Sequence, residues 1–246
     1  MVEDHDYKAA TEFLGALERF HGEEEGFSDV YAATWLFRHW SESDYSNALF
    51  VLRGNEAAPI RGMVENYDSF LRAVMRDLDD EHGNKNALII DKYQNAKRCY
   101  DSRRYGECLK KLEQAIELIV EGGINSLGFS HGRIDPDNGM FTSQERNHLK
   151  EWDESNRRHM SDGNAIDVNK GIRVLSWKDE RFKEIDRLRK SFDSARREIL
   201  LGTVPKNNIG YCVEICLKAV RDMIGIVIET RESKRLMDSS EFIFNH

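Results

Sequence analysis

Between residues 60 and 78 the apolar side chains Ile60, Met63, Val64, Tyr67, Phe70, Leu71, Val74 and Leu78 return at steps of three and four. That period is one face of an α-helix. It recurs at Tyr7, Phe13, Leu14, Leu17 and Phe20, and again at Phe182, Ile185, Leu188, Phe192, Ala195 and Ile199. Three prolines in 246 residues leave such runs almost unbroken. No alternation of strand and helix patterns appears. The expected fold is therefore all-α, a helical bundle.

Turn signals divide these runs. "HGEEEG" ends the first stripe, "DDEHGNKN" the one after Pro59, and Pro59 itself suits a first helical turn. Helices are expected over 87–101 and 104–121, and a short one near 145–159. The stretches "GFSHGRIDPDNGMFTSQ" and "SDGNAIDVNKG" read as loops. Within the first, "DPDNG" has the glycine of a calcium loop one place early and Arg146 at its twelfth position, which leaves a turn. The last long helix is expected over 208–229. Its wide apolar face, with Cys212, Val213, Cys216, Leu217, Val220 and Ile224, suits either the core or a homodimer interface.

The formal net charge is −8, and residues 1–30 hold nine acids against Lys8 and Arg19. Such a chain is not a general polyanion binder. The start, "MVEDHDYKAATEF", has no basic and then apolar run, so no secretory leader is expected. No apolar stretch is long enough for a bilayer. Cys99, Cys108, Cys212 and Cys216 form no CxxC pair and fall at apolar helix positions. They read as buried thiols of a cytoplasmic protein, with no metal site and no cofactor.

Two segments share a finer pattern. "DYSNALFVL" (44–52) and "RYGECLKKL" (104–112) each start a helix with an aromatic, place a small residue three on and a leucine four further. This resembles the logic of a TPR-type hairpin, in which the small residue admits the paired helix. The full stretch "AKRCYDSRRYGECLKKLEQAIELIVEGG" (96–123) also resembles the hairpin opening the HEPN domain of CRISPR-associated CARF–HEPN proteins. "YAATWLFRHWSESDYSNALFVL" is similar to their helical linker. The resemblance spans roughly 28–128, with a fainter echo at 186–204. It implies an N-terminal helical region, 1–84, and an HEPN-like domain, 85–246.

HEPN ribonucleases resemble one another in an R-x4-6-H motif, in which Arg holds phosphate charge and His moves a proton. The matching segment here is "DSARREILLGTVPKN". It has Arg196 and Arg197, but Leu, Gly, Thr and Val at 201–204, and no histidine between His159 and His246. On that segment the chemistry is missing. The resemblance therefore implies a non-catalytic accessory of a prokaryotic antiviral system that binds a protein partner, a CRISPR effector component among the candidates. Two alternatives stay open. One is a metal-independent endoribonuclease using Arg76 and His82 (with Asp77 after the Arg), or Arg157 with His159. The other is a TPR-like adaptor. A basic run at 178–197, with Arg189, Lys190, Arg196 and Arg197, is the candidate RNA-facing surface. Five interleaved acids make RNA binding there weak or absent.

Overall fold

The computed structural model describes residues 7–21, 27–54, 64–80, 83, 85–129, 137, 139–156 and 168–241. Among them the fold is all-α, with eleven helices packed as a bundle and no strand. In chain order these are α1 (Tyr7–His21), α2 (Phe27–Ser41), α3 (Tyr45–Gly54), α4 (Val64–Asp79), α5 (Asn86–Asp101) and α6 (Tyr105–Ser126). They continue with α7 (Ser143–Asn156), α8 (Val168–Lys178), α9 (Arg181–Leu200), α10 (Ile209–Val227) and α11 (Thr230–Ser239). The expected helix start at Pro59 lies outside the described residues.

Helix α5 is the axis. It packs on α6, α4, α10 and α11, and is buried on nearly every side. A helix enclosed this way must also bury its polar side chains, and Asp91, Gln94, Asn95 and Arg98 are all buried. Asp91 is fully buried and accepts three hydrogen bonds: from Trp40 Nε1–H at 2.7 Å, Tyr45 O–H at 2.6 Å and Asn95 Nδ2–H at 3.0 Å. Asn95 passes the network on by accepting from Arg98 Nη2–H at 2.8 Å, and Arg98 Nη1–H donates to the Ser240 carbonyl at 3.2 Å. One carboxylate thus ties α2 and α3 to α5, and Arg98 ties α5 to the end of the described chain.

The two similar sequence segments close in the same way. After α2, Ser43 N–H donates to Trp40 O (3.0 Å) and Asp44 N–H to His39 O (2.8 Å). After α5, Arg103 N–H donates to Tyr100 O (2.9 Å) and Arg104 N–H to Cys99 O (2.8 Å). This is a Schellman turn, and its C′ residue is left-handed: Ser43 at φ 65° and Arg103 at φ 57°. Past each turn the small residue and the leucine are buried, Ala48 and Leu52 in α3, Cys108 and Leu112 in α6.

Several expectations need correction. The loop read at 161–171 overlaps α8, whose Ile172, Val174 and Leu175 are buried. With eleven residues and a polar first turn, α8 shows too little periodicity to declare itself. Helix α11, with few apolar residues, went unread. In α1 the buried face is Tyr7, Ala10 and Thr11, whereas Phe13 is exposed. Six positions at about 100° each carry Phe13 roughly 240° around from Tyr7. The wide apolar face of α10 is used inside the chain, against α9, α6 and α5, with Cys216 and Val220 fully buried.

Asp91→Ala orphans the Trp40 and Tyr45 donors and leaves Arg98 without its carboxylate. It should cost about 3–5 kcal/mol in urea unfolding, against less than about 0.5 kcal/mol for Lys190→Ala on the surface. A second test uses the pH scale. Burial pushes the Cys216 thiol up to about 12. An unfolded thiol ionises near 8.5, so above that pH the native state binds more protons and stability falls as pH rises. Between about pH 9 and 11 the wild type should lose stability faster than Cys216→Ala, by up to ~1.4 kcal/mol per pH unit.

Candidate functional site

Arg76 is an exposed side chain of α4, beside Arg53, Arg72, Asp79 and Asp80 in a shallow groove. Its neighbour Asp77 points elsewhere. Asp77 Oδ2 accepts the Leu88 N–H at 3.1 Å, at the start of α5. The Asp77 carbonyl accepts Lys85 Nζ at 2.5 Å. Burial raises the Asp77 pKa, with the backbone hydrogen bonds opposing it. The polar residue of the arithmetic Arg–His match therefore supports a helix N-terminus. His82, Arg157 and His159 lie outside the described residues.

The basic run along α9 is largely neutralised by its own neighbours. Lys178 pairs with Glu145 at 2.9 Å, Arg181 with Asp179 at 2.7 Å, and Lys183 with Glu180 at 2.8 Å. Arg187 pairs with Glu184, Arg189 with Asp193 at 3.3 Å, and Lys190 with Asp186 at 2.5 Å. Arg196 reaches across to Glu113 of α6 at 2.7 Å. Of the four candidate RNA contacts, Arg189, Lys190 and Arg196 are thus held by carboxylates, and Arg197 is exposed on the last turn.

At the α9–α10 connection the surface changes character. Gly202 is left-handed at φ 64°, and Thr203 N–H donates to Glu198 O at 3.1 Å, which ends α9 in another Schellman turn. Leu200, Leu201 and Tyr211 stand out from this end, 64%, 69% and 67% exposed.

A cleft that the sequence reading missed lies at the other hairpin. It encloses about 540 Å³ between the start of α1, the α2–α3 turn, α5 and α6. Its cations are Lys8, Arg98, Arg104, Lys110 and Lys111, and its carboxylates are Glu42 and Glu107. Both acids are engaged, Glu42 by Arg38 at 3.3 Å and Glu107 by Arg104 at 3.0 Å. Among the described residues, Arg104 Nε and Gln114 Oε1 are buried atoms of the lining with no hydrogen-bond partner.

Behind the cleft wall the cations outnumber their counter-charge. Burial lowers the Arg98 pKa, and Asp91 only partly offsets it. Burial likewise lowers that of Lys92, with Asp91 opposing and Lys111 adding to the fall. Lys92 Nζ donates to Ser43 Oγ at 2.9 Å and Tyr45 Oη at 3.1 Å, and Lys111 Nζ reaches the same Ser43 Oγ at 3.4 Å. The left-handed turn residue Ser43 thereby bridges two lysines. A signal for this region is present in the sequence: Asp91, Asn95 and Arg98 stand at i, i+4 and i+7, a polar stripe on an otherwise apolar helix.

Comparison with protein-family models, curated proteins and solved structures finds no match to this chain. Among the described residues no helix is long and apolar enough to cross a membrane, and no cluster of His, Cys, Asp and Glu could hold a metal ion.

The Gln114 oxygen, without a partner among the described residues, costs the fold the desolvation of a carbonyl. Gln114→Met, of similar volume, should therefore stabilise the protein by about 1 kcal/mol in urea unfolding.

Proposed function

We propose that this chain is a non-catalytic, HEPN-like helical accessory protein of a prokaryotic antiviral system, acting in the cytoplasm by binding a protein partner. The observation that carries the reading is the end of α9. Where a ribonuclease of this type needs a histidine, the chain has Leu201, Gly202, Thr203 and Val204, and it exposes Leu200, Leu201 and Tyr211 to solvent. Apolar side chains cannot move a proton, whereas exposed leucine and tyrosine side chains offer the kind of anchor that protein interfaces use. The pairing of the α9 cations with carboxylates supports the same reading. A helix whose positive charge is already met gains little by counterion release from RNA.

Products of neighbouring genes are the partners to test, by co-purification with the full chain. Leu201→Glu combined with Tyr211→Glu should weaken the complex by about tenfold or more, with the urea midpoint unchanged. RNA should remain uncleaved in EDTA, and RNA affinity should collapse between low and near-physiological salt. Cleavage in EDTA that disappears in His82→Ala, or sequence-selective RNA binding that survives physiological salt, would replace this reading with a ribonuclease or an RNA binder.

A further inference from the structure

We propose that the cleft between α1, α5 and α6 binds a small phosphorylated ligand, its phosphoryl group held by Arg104, Lys110 and Lys111 and an adjacent hydroxyl or amino group donating to Gln114 Oε1. The site is distinct from the α9–α10 surface, and neither reading depends on the other.

Charge is the first argument. In a chain of net charge −8 the cleft gathers five cations and two carboxylates. The carboxylates do not answer the excess, because Arg38 lies on Glu42 and Arg104 already holds Glu107. Lys110 has no ion-pair partner among the described residues. A ligand carboxylate would meet one of the surplus charges, whereas a phosphate monoester brings about −1.5 to −2 and three acceptor oxygens.

Unmet hydrogen bonding is the second argument. Among the described residues, Arg104 Nε is a buried donor without an acceptor, and Gln114 Oε1 a buried acceptor without a donor. The two atoms ask for different things, the first for an anionic oxygen and the second for an O–H or N–H. A bare phosphate dianion has a single O–H, on the very group that the cations hold. A phosphate carried on a sugar or another hydroxylated or amino-bearing skeleton supplies both. Buried polar atoms are rarely left unpaired, so a ligand completing both offsets the cost of their desolvation.

Size and backing complete the case. About 540 Å³ is within the range of small-molecule sites, roughly 300–1,000 Å³. Arg98 lines the cleft and is itself 5% exposed, held by Asn95 and the Ser240 carbonyl, so this part of the wall is fixed before any ligand arrives. The flexible lysines Lys8, Lys110 and Lys111 are at the rim or half-buried and can close on the phosphate.

The probes are inorganic pyrophosphate, which has no donor outside its own phosphate groups, and AMP, which has hydroxyl and amino donors beside its phosphate. Both are titrated calorimetrically into the full chain at low and near-physiological salt. Both should bind, AMP more tightly. Lys110→Glu should weaken both by about fivefold or more, since it reverses a charge at contact distance. Lys8→Glu should weaken both in the same direction, and covers the case in which one variant folds poorly. Gln114→Leu should remove the advantage of AMP and leave pyrophosphate within about twofold. The proposal fails if neither probe binds at millimolar concentration, or if both charge reversals leave the affinities unchanged. It also fails if single-stranded RNA displaces AMP at physiological salt, which would make the cleft part of a polynucleotide track.

Discussion

The buried carboxylate of Asp91 is the contact on which the rest of the bundle depends. Trp40, from the end of α2, and Tyr45, from the start of α3, both donate to it, so one carboxylate joins both arms of the first hairpin to α5, and Lys92 adds bonds to Ser43 and Tyr45. Trp40 also packs on Phe70 of α4 at 5.6 Å and edge-on to Tyr67 at 5.4 Å. A charged acceptor inside an aromatic cluster is stable only when its lone pairs are met and a counter-charge stands near. Asn95, Arg98 and Lys92 supply those conditions. The requirement fixes the rotation of α5, because turning it by one residue would carry Asp91 about 100° away from its donors.

Fold class was legible because helical periodicity repeats over many residues and little proline interrupts it. The hairpins were legible to the level of their turns, since Tyr45, Ala48 and Leu52 match Tyr105, Cys108 and Leu112 in spacing, and the small and leucine positions are buried alike. Helix α8 was hidden by its shortness, and Phe13 was misplaced because a stripe counted along the sequence ignores the angle at which each residue leaves the helix. The α9 basic run could be read as diluted by acids, but the pairing of Arg196 with Glu113 of another helix is tertiary and leaves no trace in spacing. The cleft escaped for the same reason. Lys8 and Glu42 are far in sequence from Arg98, Arg104 and Gln114 and meet them only after α1 and the α2–α3 turn pack against α5 and α6.

The molecule separates two kinds of polar chemistry. Along α9 charge is balanced locally, mostly by partners two to four residues away, and such pairs contribute little to stability and present little net field. At the α5–α6 hairpin the balance is poor, and the unmatched cations and orphaned amide sit beside the most constrained part of the core. Strain of this kind is retained where it has a use. The two regions therefore have different roles in the readings given above, the first as a neutral flank to an apolar contact and the second as a recognition cleft.

Arg98 also has a temporal side. Its guanidinium donates to the carbonyl of Ser240, 142 residues further along the chain. Gln94 donates to the Met237 carbonyl and Tyr67 to that of Glu241, so three side chains near the middle of the chain await acceptors close to its end. At a ribosomal rate of about 5–20 residues per second, Arg98 emerges roughly seven to thirty seconds before its acceptor is made. During that interval α5 cannot be fully enclosed without stranding a charge. The hairpins can form early, but the bundle closes only with the arrival of α11, and a nascent chain halted short of it holds an open core.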